Sequence, residues 1–282
     1  MKNVKPKAGV IGWPVEHSLS PRLHNYWLKQ YRIEGSYETF AVVPEKLEET
    51  LRDLPVQGFR GVNLTVPHKE AALRILLSEH GLGGADLNAR FIGAVNTVVV
   101  QENGKLKGSN TDSYGFKENL LNSGIKSGTI ATVLGAGGAA RAVLIVLLTE
   151  MGFSEIRVVN RTKDRAEKLV EELGDKVCTF SFNNYPAAFS NTELLINTTS
   201  LGMKGQPPLD ISLDTLPRQA AVTDIVYAPL MTGLLKQAQE RGHKIVDGLG
   251  MLLYQAQPGF KAWFGVTPEV TPALRAHMIE AL

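Results

Sequence analysis

The chain has 282 residues, 44% of them hydrophobic, and a formal charge of +2 from 30 basic and 28 acidic side chains, a length for one large domain or, the favoured reading, two medium ones with cores of their own. The charges are dispersed, with no basic block to follow a nucleic-acid backbone, so nucleic acid is not an expected partner. A single cysteine, Cys178, excludes an intrachain disulfide and a cysteine-rich metal site and suits a reducing, cytoplasmic setting.

In chain order, the basic MKNVKPK is followed only by AGVIG, too short for the apolar stretch of a signal peptide. AGVIG reads as a strand, RLHNYWLKQY as a helix, YETFAVV as a strand, EKLEETLRDL as a helix, GVNLTV as a strand and KEAALRILL as a helix. SEHGLGGADLNAR, residues 78–90, is Gly-rich and polar and reads as loop. AVNTVVV and KLKGS flank Asn103-Gly104, a hairpin signal that makes the first sheet mixed.

A second block alternates TIATVLG, GAARAVLIVLLTEM, EIRVVN, KDRAEKLVEEL, LLINTT, AVTDIVY, PLMTGLLKQAQE and KIVDG. This is the pattern of a doubly wound parallel sheet covered on both faces. Its longest apolar run, AVLIVLL, is far below a membrane span. LGMLLYQAQPGFKAWF and PALRAHMIEAL read as closing helices that return to the first domain, the second with Thr271 as N-cap and Pro272 at the first helical position.

Two stretches carry chemistry on their own residues. In GVNLTVPHK (61–69), Val62, Leu64 and Val66 form an apolar strand face while Asn63 and Thr65 form a polar one, before Pro67 stops the strand and Lys69 follows. That polar face either lines a pocket for a hydroxylated ligand or is a solvated edge. In VLGAGGAAR (133–141), Gly135, Gly137 and Ala140 fit G-x-G-x-x-G/A between a strand and a helix, either an ordinary glycine turn or, as this context favours, a loop that would place a diphosphate on the helix N-terminus. The next strand ends in NRTKDR, with Asn160 where an NAD site usually has an acid, then Arg161, Lys163 and Arg165. Arginines without a carboxylate suit a 2′-phosphate and favour NADP.

Other residues are ambiguous alone. Ser18 and Ser20 in SLSP suit a carboxylate, although Ser20 alone can cap the helix that Pro21 begins. Asp112 reads as a helix N-cap, Asn96 as a strand residue and Gln255 as an exposed helix residue. His17, His24 and His68 read as packing or surface residues, with no metal-ligand spacing.

Together, SLSP, NLTVPHK, GAVNT (93–97), NTD (110–112), GAGGAAR, NRT and GLGMLLYQA (248–256) resemble, in order and over nearly the whole length, the shikimate dehydrogenase family. The resemblance implies a two-domain α/β oxidoreductase: a mixed-sheet substrate domain of residues 1–110 plus 251–282 and a Rossmann-type NADP domain of residues 111–250, with the active site in the cleft. It implies NADPH-dependent reduction of 3-dehydroshikimate to shikimate, with Lys69 and Asp112 catalytic. The implied substrate residues are Ser18, Ser20, Asn63, Thr65, Lys69, Asn96, Asp112 and Gln255. The implied cofactor residues are Gly135, Ala136, Gly137, Gly138, Ala139, Asn160, Arg161, Thr162, Arg165, Thr198, Thr199, Ser200, Ile225 and Gly248. No metal is implied, the partners are small molecules, and the state is monomer or homodimer. Keeping both serines favours shikimate over quinate. The alternatives are a quinate/shikimate dehydrogenase with relaxed cofactor use and a non-catalytic ligand sensor.

Overall fold

The computed structural model describes residues 5–79 and 81–282, without the side chain of Lys163. The first four residues of MKNVKPK, His80 in the 78–90 stretch and the Lys163 side chain of NRTKDR therefore lie outside the described residues. The chain forms two compact units, one running to Asp112 and resuming at Gln255–Ala281, the other Ser113–Tyr254.

The first unit contains β1 (Lys7–Gly12), α1 (Ser20–Gln30), β2 (Ser36–Ala41), α2 (Leu47–Asp53), β3 (Phe59–Leu64), α3 (Lys69–Leu77), β4 (Gly83–Ala85), α4 (Leu87–Ile92), β5 (Thr97–Val100) and β6 (Leu106–Ser109). Its sheet runs β2-β1-β3-β5-β6-β4. The expected hairpin at Asn103-Gly104 makes it mixed: β5 is antiparallel to both β3 and β6, whereas β1 is parallel to β2 and β3. Val62, Leu64, Leu76, Val95 and Val98 form its core.

Helix α5 (Asp112–Asn122) begins at the last residue of the first unit and leads into the second. There β7 (Ile130–Leu134), α6 (Gly138–Thr149), β8 (Glu155–Asn160), α7 (Lys163–Leu173), β9 (Val177–Ser181), α8 (Tyr185–Ala188), β10 (Leu194–Asn197), β11 (Ala221–Asp224), α9 (Gly233–Glu240) and β12 (Lys244–Val246) build a parallel sheet of order β12-β11-β10-β7-β8-β9. Counted from β7, that is the 3-2-1-4-5-6 order of a dinucleotide fold, whose strand order reverses between β7 and β10. The apolar α6 buries Ala140, Val143, Leu144 and Leu147 against the sheet.

Helix α10 (Leu249–Phe264) starts in the second unit and ends in the first, and α11 (Pro272–Ile279) follows. Trp263 Nε1 donates to the Val98 carbonyl of β5 at 3.0 Å. As expected, Thr271 caps α11 by accepting from the Leu274 amide.

Three expectations need correction. Residues 83–90 are not the loop expected of them: β4 pairs with β6, where any side chain on Gly83 would strike the Leu106 backbone, and Asp86 caps α4 by accepting from the Ala89 amide at 2.7 Å. Gly83 serves close backbone approach instead of breaking structure. Val66 is not on the apolar face of β3, because the strand ends at Leu64 and Val66 is 71% exposed. Ser20 is not a cap; it is the first residue of α1, and its amide donates to Ser18 Oγ at 3.3 Å. The reading also assigned no element to β9 and α8.

Candidate active site

In the first unit, the polar residues gather at one end of the sheet. β3 lies between β1 and β5, so Asn63 is interior and not on a solvated edge. Its Oδ1 accepts from the Tyr37 hydroxyl at 2.7 Å, and its Nδ2 donates to the Asn96 carbonyl and to Thr97 Oγ1, both at 3.0 Å. The chain turns after β3, the His68 amide donating to the Thr65 carbonyl, and α3 begins with Lys69. His68 is buried, its Nε2 2.8 Å from the Val42 carbonyl.

Lys69 Nζ donates to Asp112 Oδ2 at 2.6 Å, and Asn96 Nδ2 donates to Asp112 Oδ1 at 2.8 Å. The Lys69 and Asp112 side chains keep 30% and 18% of their exposure, so the charges are partly shielded yet open to a ligand. The pair is charge-assisted, and the ammonium retains donors beyond the one Asp112 takes. Asn96 precedes β5, and its Oδ1 accepts from the Thr111 amide at 2.8 Å and from the Thr97 and Thr111 hydroxyls at 3.0 and 3.2 Å. Gln255 joins the cluster through Thr111 Oγ1, 3.4 Å from its Oε1. Ser18 and Thr65 are half-buried, Ser18 just before α1 and Thr65 directly after β3.

The second unit supplies a phosphate cradle. Gly135, at φ +106°, occupies a backbone region that L side chains avoid, and a Cβ there would stand 2.8 Å from Thr198 Oγ1. Gly137 and Gly138 differ: a Cβ on either would meet no protein atom within 4 Å. Packing does not exclude a side chain there, so the open space at the α6 N-terminus suits a bound diphosphate. Ala136 and Ala139 complete the turn, and Ala140 is fully buried, giving the close helix packing the third position requires.

Thr198 braces this turn, its amide and hydroxyl both donating to the Leu134 carbonyl at 2.9 and 2.7 Å. The Thr199 amide and hydroxyl donate to Asn197 Oδ1, and Ser200 is exposed. Asn160 at the end of β8 donates to the Thr162 carbonyl at 2.7 Å, leaving Arg161, Thr162 and Arg165 exposed. Ile225 and Gly248 pack backbone to backbone, since a Cβ on Gly248 would strike the Ile225 carbonyl. A glycine turn, a free helix N-terminus and exposed arginines beside a strand end without an acid together fit NADP. Among the described residues no group of three or more His, Cys, Asp or Glu could hold a metal, and no helix is long and apolar enough to cross a membrane.

Sequence reasoning missed Tyr37, Thr97 and Thr111 as parts of this cluster. Thr97 and Thr111 sit inside GAVNT and NTD, so adjacency to Asn96 and Asp112 was the available signal. Asp224 was also missed: buried, it accepts from Asn197 Nδ2, the Val226 amide and the Thr232 hydroxyl, and burial raises its carboxyl above the usual range.

Comparison with known proteins gives a consistent picture. A family model described as the shikimate dehydrogenase substrate binding domain matches residues 10–98, and one described as shikimate / quinate 5-dehydrogenase matches residues 121–203. A shikimate dehydrogenase (NADP(+)) from Paramagnetospirillum magneticum is 51% identical over 276 residues, 96% of this chain and 97% of that protein. The structure of shikimate 5-dehydrogenase from Thermus thermophilus in complex with NADP(H) and shikimate is similar at TM-score 0.85 and 39% identity, covering 98% of this chain and 99% of that one. Quinate dehydrogenase from Corynebacterium glutamicum, in complex with NAD, reaches TM-score 0.86 at 26% identity over 98% of each chain. The backbone alone therefore does not choose the acid or the cofactor.

Proposed function

The chain belongs to the shikimate dehydrogenase family, and we infer that it catalyses the reversible NADPH-dependent reduction of 3-dehydroshikimate to shikimate, a step of aromatic amino-acid biosynthesis. The observation that carries the chemistry is the Lys69–Asp112–Asn96 contact in the first unit. NADPH, when bound, supplies the hydride that adds to the ring ketone. The oxygen that gains negative charge needs a proton donor, because a ketone is too weak a base to be protonated beforehand in water.

Lys69 donates to that oxygen, and Asp112 keeps the ammonium and the substrate hydroxyl oriented, the two acting as a coupled pair. Ser18 and Ser20 receive the carboxylate, while Asn63, Thr65, Asn96 and Gln255 hold the hydroxyls. Gly135, Ala136, Gly137, Gly138 and Ala139 receive the diphosphate, and Arg161 and Arg165, with Asn160 and Thr162, receive the 2′-phosphate. Thr198, Thr199, Ser200, Ile225 and Gly248 line the remainder of the cofactor. Residues 1–110 with 251–282 form the acid-binding domain and 111–250 the NADP domain.

We place the enzyme in the cytoplasm, as monomer or homodimer; its one cysteine is a free thiol, and size-exclusion chromatography with light scattering separates the two states. The assay is absorbance at 340 nm with NADP⁺ or NAD⁺ paired with shikimate or quinate. Turnover fastest with NADP⁺ and shikimate is the expected result. Comparable rates with quinate and NAD⁺ would favour a relaxed quinate/shikimate dehydrogenase, and no turnover with any pair would leave a ligand-binding protein.

A further inference from the structure

We propose that Tyr37, Asn63 and Thr97 form a one-way hydrogen-bond relay whose task is to fix the Asn96 amide and, through it, the Asp112 carboxylate. The proposal rests on the reading that Lys69 and Asp112 perform the proton chemistry. Tyr37 and Thr97 are positioning residues that act through Asn96, and the Tyr37 hydroxyl is also hydrogen-bonded to Ser20.

The direction of each bond follows from donor and acceptor inventory. Asn63 Nδ2 lies 3.0 Å from the Asn96 main-chain carbonyl, which can only accept, so this end of the Asn63 amide is nitrogen. Its other proton goes to Thr97 Oγ1 at 3.0 Å. Asn63 Oδ1 is then the acceptor for the Tyr37 hydroxyl at 2.7 Å. The Asn96 amide is fixed in the same way, because the Thr111 main-chain N–H points at Asn96 Oδ1 from 2.8 Å. Thr97 Oγ1 accepts from Asn63 and has two partners for its own proton, Asn96 Oδ1 at 3.0 Å and Thr111 Oγ1 at 3.2 Å; the shorter contact directs it to Asn96. Asn96 then presents one Nδ2 proton to Asp112 Oδ1 at 2.8 Å and keeps the other for a substrate hydroxyl. Protons thus point the same way along Tyr37, Asn63, Thr97 and Asn96, and the series ends on a carboxylate.

Burial gives this order its force. Tyr37, Asn63, Asn96 and Thr97 are each at most 6% exposed, so water does not compete for their bonds. In such surroundings aligned bonds polarise one another, and an unmatched donor or acceptor is costly. Packing alone would be met by Phe at position 37 and Val at 97, a β-branched residue that suits the strand equally well. The hydroxyls are therefore explained by what they bond. Their product is a carboxylate gripped by Asn96 on one oxygen and by Lys69 on the other.

The test uses the full-length enzyme and steady-state oxidation of shikimate at 340 nm for Thr97→Val, Thr97→Ser, Tyr37→Phe, Asn96→Ala and the Asn96→Ala/Thr97→Val double variant, with melting curves to confirm folding. Thr97→Val should lower kcat about tenfold, with KM for NADP⁺ changed by less than about twofold, and Thr97→Ser should keep at least about half of the wild-type kcat. Tyr37→Phe, one bond further back, should lower kcat by about threefold. Because Asn96→Ala already cuts the relay from Asp112, adding Thr97→Val to it should cost less than about twofold more. Wild-type kcat in Thr97→Val, an equal loss in Thr97→Ser, or losses that multiply in the double variant would overturn the relay. Should Thr97→Val fail to fold, unchanged kcat in a folded Tyr37→Phe overturns it equally. An inactive wild-type enzyme would instead remove the catalytic reading, and the relay with it.

Discussion

The Lys69 ammonium and the Asp112 carboxylate, 43 residues apart in the chain, meet at 2.6 Å, each in the first turn of its own helix. An acid is favoured there by the helix dipole and a cation is not, so Lys69 stands at the start of α3 against the local field. Asp112 supplies the compensating charge. If the pair acts on charge that develops only during reduction, Lys69→Met should lower kcat at least about a hundredfold and change shikimate affinity far less. Asp112→Asn should show a comparable loss, and the double variant much less than the product of the two. Steady-state kinetics with separate shikimate titration decides this; near-normal kcat in folded Lys69→Met would put the proton donor elsewhere.

Arg161 is exposed beside Asn160, at a strand end that carries no carboxylate. Arg161→Ala should weaken NADP⁺ binding by about 1.5–3 kcal/mol, the range of a charge-assisted hydrogen bond, while NAD⁺ affinity barely moves. Titration with both cofactors is the measurement. Equal losses would mean that the guanidinium does not read the 2′-phosphate.

Gly135 combines a φ of +106° with a Cβ position 2.8 Å from Thr198 Oγ1. Gly135→Ala should therefore strain the turn and push Thr198 off the Leu134 carbonyl, costing about 1–3 kcal/mol of stability and weakening NADP⁺ binding at least about tenfold. Shikimate affinity without cofactor should stay the same. A variant with unaltered NADP⁺ affinity would show that the turn tolerates a side chain and does not set the phosphate site.

His24 is fully buried, with Tyr37 stacked on it at 4.0 Å and Trp27, Phe260 and Trp263 around it, and burial lowers its pKa to about 3. Tyr37, the titratable group among these neighbours, stays protonated because burial raises its pKa. The unfolded chain, with His near 6.5, binds a proton that the folded chain refuses, so stability is intact above pH 6.5 and falls as pH drops toward 3. Between pH 6.5 and pH 5 this one group should remove about 2 kcal/mol. Urea unfolding of wild type and His24→Phe at several pH values isolates it: the wild-type curve should fall more steeply, and parallel curves would disprove the assignment.

Much of the fold was legible where periodicity is uninterrupted. The full 16-residue span of α10 could be read despite Pro258, because its apolar pattern continues past the proline, and β8 ends at Asn160 where the glycine-loop logic requires a ribose contact. The strand β4 was not legible, since Gly83 pairs with β6 only because Leu106 comes too close for a side chain, a fact absent from the local sequence. Asn63 could not be assigned to interior or surface until β1 and β5 flanked its strand. Thr97 and Thr111 escaped notice for a related reason: no periodicity encodes a hydrogen-bond partner, and their importance lies wholly in the amide they hold.

The interrupted path of the first unit has a consequence for how the protein is made. Its sheet is synthesised before the second unit, yet Trp263 of α10, which bonds β5, and Glu269, whose carbonyl accepts from Trp27 of α1, arrive only after all of Ser113–Tyr254. At about 5–20 residues per second, that delay is on the order of ten seconds. During it, a half-covered aromatic layer around His24 and Tyr37 waits for its lid, while the second unit can close as soon as β12 emerges. Of the two units, the one whose sheet is made earlier is therefore completed later.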